Sequence, residues 1–153
     1  MDIEGYQPTV TQAPVPQLLQ WLGDLATGPC PHVTQQESFD RLCLLCETDP
    51  KVLAQGDAQK EKNVRETLRW AMHDLLMSLF DAPEAPDVET LVSCFRAMVA
   101  YHPPRQGDLY QINYERFFRL ADPLLSSQPA GSPSWTLLTT LQQYYSAATG
   151  PAK

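Results

Sequence analysis

Apolar residues recur along this chain at steps of three and four, the period of an amphipathic helix, and nowhere alternate with polar ones as a half-buried strand requires. The clearest stripe spans residues 59–80, where Val64, Leu68, Ala71, Met72, Leu75, Leu76 and Leu79 share one face and predict the longest and most central helix. Before it, Leu18, Leu19, Trp21, Leu22 and Leu25 predict a helix over residues 16–26, opened by Pro16 and stopped by Gly28. Thr34-Gln35-Gln36-Glu37 has the form of a capping box, after which Phe39, Leu42, Cys43 and Cys46 keep helical spacing until Asp49-Pro50. Residues 82–86, with two prolines, break the long helix, and Asp87 caps a helix whose Val88, Leu91, Val92, Phe95, Met98 and Val99 fall on one side. His102-Pro103-Pro104 ends that run. Asn113 opens a further helix with Tyr114, Phe117, Phe118, Ala121, Leu124 and Leu125, in which Pro123 predicts a bend or an end. Ser132-Pro133 opens the last, carrying Trp135, Leu138, Leu141 and Tyr145 up to Gly150-Pro151.

These elements predict an all-α protein: a single compact bundle of about six helices over residues 15–149. Residues 1–14 are polar, proline-marked and aperiodic, which predicts a flexible N-terminal arm, and residues 150–153 form a tail. A chain of 153 residues is long enough to bury a core of its own without a disulfide framework. No stretch approaches the roughly 20 apolar residues of a membrane span. The acidic start, Met1-Asp2-Ile3-Glu4, is unlike a signal peptide, and the four cysteines fall mostly inside helical stretches, so a cytoplasmic protein with buried thiols is expected.

Charge adds an asymmetry. The net charge is −7, and residues 1–58 hold eight acids against Arg41 and Lys51 while residues 59–153 are nearly balanced. A surface of that sign does not bind nucleic acid as a whole. A local basic stripe survives nonetheless: Lys62, Arg65, Arg69 and His73 lie within about 80° of one another on a helix, beside Trp70 and diluted by Glu66. Arg96, Arg116 and Arg119 extend it if their helices are neighbours. These residues, Lys62, Arg65, Arg69, Trp70, Arg96, Arg116 and Arg119, are the candidate partner-binding set.

Chemistry is sparse. Cys30-Pro31-His32 followed by Cys43-Leu44-Leu45-Cys46 supplies four donors of the type that bind zinc, but the second pair sits among leucines on an apolar helix rather than on a tight turn. Buried thiols beside a loop histidine are the simpler reading, with no cofactor and no metal. There is no phosphate loop, nucleophile elbow or paired-histidine motif, and His73-Asp74 are adjacent residues that diverge by about 100° on a helix. A non-enzymatic protein is the expectation.

Two segments, Trp21-x-x-x-Leu25-x-x-Gly28-x-Cys30 and Ile112-Asn113-Tyr114-Glu115-Arg116-Phe117-Phe118, together resemble at a distance the small all-α subunit of Cascade-type CRISPR surveillance complexes. That resemblance implies a ribonucleoprotein subunit touching a displaced strand through Arg65, Arg69, Arg96, Arg116 and Arg119. The chain departs from the pattern where Pro31-His32-Val33 replaces the expected basic residues, and in its acidic balance. The leading expectation is therefore a helical interaction protein, a subunit, adaptor or inhibitor with a protein partner or larger complex. Strand contact through the basic patch is the alternative, and an acidic inhibitor that mimics nucleic acid is a second.

Overall fold

The computed structural model describes residues 3–28 and 32–150. Seven helices lie among them: α1 (Val15–Thr27), α2 (Gln35–Glu47), α3 (Pro50–Leu53), α4 (Ala58–Phe80), α5 (Val88–Tyr101), α6 (Gln111–Ser127) and α7 (Pro133–Thr149). No strand occurs in the described residues, so the all-α architecture read from the periodicity holds. The tail beyond Gly150 and the Pro29–Cys30–Pro31 stretch lie outside them.

Most of these helices start where a short polar side chain takes an amide that the helix itself leaves unpaired. The Glu37 amide donates to Thr34 Oγ1 at 3.1 Å, the Thr90 amide to Asp87 at 2.8 Å and the Trp135 amide to Ser132 at 3.3 Å. The second half of the capping box is replaced: the Glu37 carboxylate accepts from Arg41 at 3.2 Å. Asp49 and Asp57 cap α3 and α4 in the same way, so several acids of the acidic half sit at helix starts, where the helix dipole favours them. At the other end of α1, Gly28 takes φ of 122°, a conformation that side chains disfavour, and so stops the helix as expected.

The longest helix is not the central one. Alternating faces of α4 stay in water, whereas α5 is buried nearly all round: Val88, Thr90, Leu91, Val92, Ser93, Cys94, Phe95, Ala97, Met98 and Val99 are all inside. A helix apolar on every side belongs in the middle, and Ser93, Cys94 and Ala97 are small enough to let a neighbour approach closely. That neighbour is α2, through Phe39, Leu42, Cys43 and Leu45; α4 packs across α1, α2 and α3, while α7 lies on α5 and pairs with α6. Truncating Phe95, which is fully buried against Tyr114, Phe117 and Phe118, would cost about 3–5 kcal/mol. Pro123 does not end α6: both Pro123 and Arg119, whose carbonyl loses its usual partner, are exposed, which leaves that carbonyl open to solvent rather than buried without a donor.

The amino-terminal arm corrects the sequence reading. Ile3 and Tyr6 join the core, and the segment is laid over α2 and α5 instead of standing free. Its anchor is Asp40, 1% exposed, whose carboxylate accepts from the Thr9 amide at 2.7 Å, from Thr9 Oγ1 at 2.8 Å and from the Tyr6 hydroxyl at 3.0 Å. Arg96 of α5 stands 3.5 Å from the same carboxylate, with its guanidinium 5.6 Å from the Tyr6 ring, and Ser93 meets the Tyr6 hydroxyl. Paired in this way, a buried charge is tolerated that alone would be prohibitively costly.

Candidate functional site

The structure divides the candidate basic set into three places. Lys62, Arg65, Arg69 and Trp70 share the outer face of α4, as the spacing predicted. Arg96 does not belong with them: it lies on the buried helix, its side chain 12% exposed, and is committed to Asp40 and Tyr6. Arg116 and Arg119 of α6 do meet α4, but near its far end. The Arg116 guanidinium lies over the Phe80 ring at 4.7 Å and donates to Met77 Sδ at 3.7 Å. Met77 and Phe80 come eight and eleven residues after Arg69, which places the two arginine pairs roughly 12–17 Å apart along the helix axis. No continuous stripe runs from one to the other through Arg96.

The outer face of α4 has its own geometry. Trp70 is 60% exposed, with the Arg69 guanidinium 5.9 Å from its ring and the His73 ring edge-on at 6.1 Å. Arg65 donates to Glu61 at 2.9 Å, one helical turn earlier, and Arg69 has no ion pair among the described residues. His73 and Asp74 are both exposed and diverge, as adjacent helical residues must.

Two grooves border this part of α4, and Trp70 lines one of them. One, of about 490 Å³, runs between α4 and the end of α1 and is lined by Leu25, Thr27, Asn63, Thr67, Trp70 and Asp74 among others. The other, of about 430 Å³, brings Arg65 and Arg69 against Tyr101 and His102 at the end of α5, over a floor of Cys46, Pro50, Leu68 and Ala100, with Glu66 at its edge. Tyr101 and His102 had no local signal as site residues; only the packing of α5 brings them here. Burial holds the Tyr101 phenol above its ordinary range, an effect that Arg69 opposes, so the hydroxyl stays protonated and able to donate.

His102 is held from outside the groove. Its Nε2 is 2.8 Å from the Asp108 carboxylate, the Tyr110 ring lies 4.8 Å away and Tyr114 donates to its carbonyl at 2.7 Å. Asp108 also accepts the Tyr110 amide at 2.9 Å, and this bond first, then His102, holds its carboxyl below the usual range. A further cleft of about 380 Å³ opens between α1, α2 and α4, but its arginine, Arg41, is already occupied by Glu37 at 3.2 Å and by the Trp21 ring at 4.8 Å.

The cysteine and histidine donors are kept apart. His32 precedes α2 while Cys43 and Cys46 sit in its later turns, so about 12 Å of helix separates the first helical residue from Cys43, too far for one ion. Cys30 lies outside the described residues, among which no group of three or more His, Cys, Asp or Glu side chains gathers. The Cys43 thiol donates to Glu47 at 3.2 Å instead. Burial pushes both Cys43 and Cys46 up to about 12, and Cys94, enclosed in α5, is pushed up as well.

No helix among the described residues is long and apolar enough to cross a membrane. No family model matches the chain, and no curated protein or solved structure matches it.

Proposed function

We propose that the chain is a non-enzymatic helical interaction protein that works in the cytoplasm as a subunit, adaptor or inhibitor and engages a protein partner through the outer face of α4. The supporting observation is Trp70, a large aromatic 60% exposed on a well-packed helix, with the Arg69 guanidinium beside its ring and the groove between α4 and the end of α1 along it. Tryptophan and arginine are the residue types that most often carry interface energy, and a rigid helix presents them at little entropic cost. Free thiols at Cys43, Cys46 and Cys94 suit a reducing compartment. A strand-binding role draws less support, because Arg96 turns inward and the remaining arginines form two separate pairs.

The test compares the tagged chain with its Trp70→Ala variant in pull-downs from host extract with and without nuclease, followed by measurement of affinity for the recovered partner. A stoichiometric protein that survives nuclease, whose binding falls about thirtyfold in the variant, is the expected result. Unchanged affinity in Trp70→Ala, or recovery of nucleic acid alone, would overturn it.

A further inference from the structure

We propose that the groove between α4 and the end of α5 is a binding site for a small phosphate monoester carrying an apolar body. The argument begins with donors. Arg65 and Arg69 are one helical turn apart and both line the groove, which sets two guanidinium forks side by side. Arg65 spends one nitrogen on Glu61, and Arg69 has no carboxylate partner among the described residues. The Tyr101 hydroxyl, kept protonated by burial, adds a neutral donor on the facing helix. A carboxylate offers two oxygens to this set, whereas a phosphate monoester offers three and carries close to two negative charges, so it uses more of the donors present.

The charge balance of the lining favours the same ligand. Two arginines face a single acid, Glu66, among the lining residues. His102 closes one side, and its ring is fixed by Asp108 at 2.8 Å and by Tyr110, so this wall is preorganised. Below the donors the floor is apolar, made by Leu68, Ala100, Cys46 and Pro50, and a volume of about 430 Å³ holds a phosphate with a ring-sized substituent. Inorganic phosphate alone would leave that floor wet.

The site shares Arg65 and Arg69 with the proposed partner surface but not Trp70, so the two readings fail separately. The experiment is an NMR titration of the ¹⁵N-labelled full chain with phenyl phosphate, with inorganic phosphate as the companion probe. Saturable shifts are expected at Arg65, Arg69, Tyr101 and His102, with phenyl phosphate the tighter probe. Arg65→Ala and Arg69→Ala should each weaken binding about tenfold, while Arg116→Ala leaves it unchanged. All three side chains are exposed or half-exposed, and a melting curve for each variant verifies the fold. Absence of saturation at millimolar probe would overturn the site. Equal loss in Arg116→Ala would reduce it to general charge attraction and overturn it as well, and equal affinity for the two probes would refute the apolar part.

Discussion

Asp40→Ala is the substitution for which the structure makes its strongest demand. The carboxylate is 1% exposed and receives the Thr9 amide, the Thr9 hydroxyl and the Tyr6 hydroxyl, with Arg96 at 3.5 Å. Removing it strands three donors and takes the opposite charge from a guanidinium that is itself only 12% exposed. Each hydrogen bond to a charged group is worth about 1.5–3 kcal/mol, but the three share one acceptor and do not add. Breaking a buried pair by deleting one member costs about 3–5 kcal/mol, which is the better guide to the total. For a domain of this size a loss of about 4 kcal/mol lowers Tm by roughly 8–16 °C. Urea denaturation of wild type, Asp40→Ala, Tyr6→Phe and the double variant gives both the cost and the coupling between arm and helix, expected at about 0.5–3 kcal/mol. If the arm detaches before the bundle unfolds, limited proteolysis of Asp40→Ala should cut within residues 7–14 under native conditions. A midpoint within about 0.5 kcal/mol of wild type, with no coupling to Tyr6, would refute the claim that this carboxylate holds the arm.

Two further outcomes follow from the titrating groups. With their thiols pushed up to about 12, Cys43 and Cys46 should react with a thiol reagent at pH 8 far more slowly than the same chain in denaturant; equal rates would contradict their burial. Asp108 is held below the ordinary carboxylate range, so its contribution to the loop before α6 is present in full above about pH 4 and disappears as pH falls through its lowered folded value. Amide exchange at Tyr110 should therefore quicken in acid relative to the amides of α6, and Asp108→Asn should remove most of that pH dependence.

Local rules accounted for most of the helices because caps are local events: Thr34, Asp87 and Ser132 each act on an amide three residues away. The short helix α3 was missed because Asp49-Pro50 reads equally well as the end of α2, whereas the Asp49 side chain caps a new turn by accepting the Lys51 amide, one residue after Thr48 closes α2. The central place of α5 was missed for a different reason. Counting only large apolar residues finds one stripe on it, while Thr90, Ser93, Cys94 and Ala97 bury the remaining faces without announcing them. Nor does any local pattern mark the arm, since Tyr6 finds its partners 34 and 87 residues away. The candidate site was legible on α4, where Lys62, Arg65 and Arg69 form one stripe by spacing alone, with Trp70 beside it. Arg96 was wrongly joined to it because a charge on a helix buried on all sides has no sequence mark of its own, and Tyr101 and His102 were absent because tertiary packing alone brings them to that groove.

The Tyr6–Ser93 contact also imposes an order of events on synthesis. The arm leaves the ribosome before the helices it packs on, and its hydrogen-bonding partner on α5 is made 87 residues later. At translation rates of about 5–20 residues per second the segment waits on the order of ten seconds with Ile3 and Tyr6 in water. During that interval its apolar side chains are open to nascent-chain binding factors, and the arm seats only after the helix that holds it has been completed.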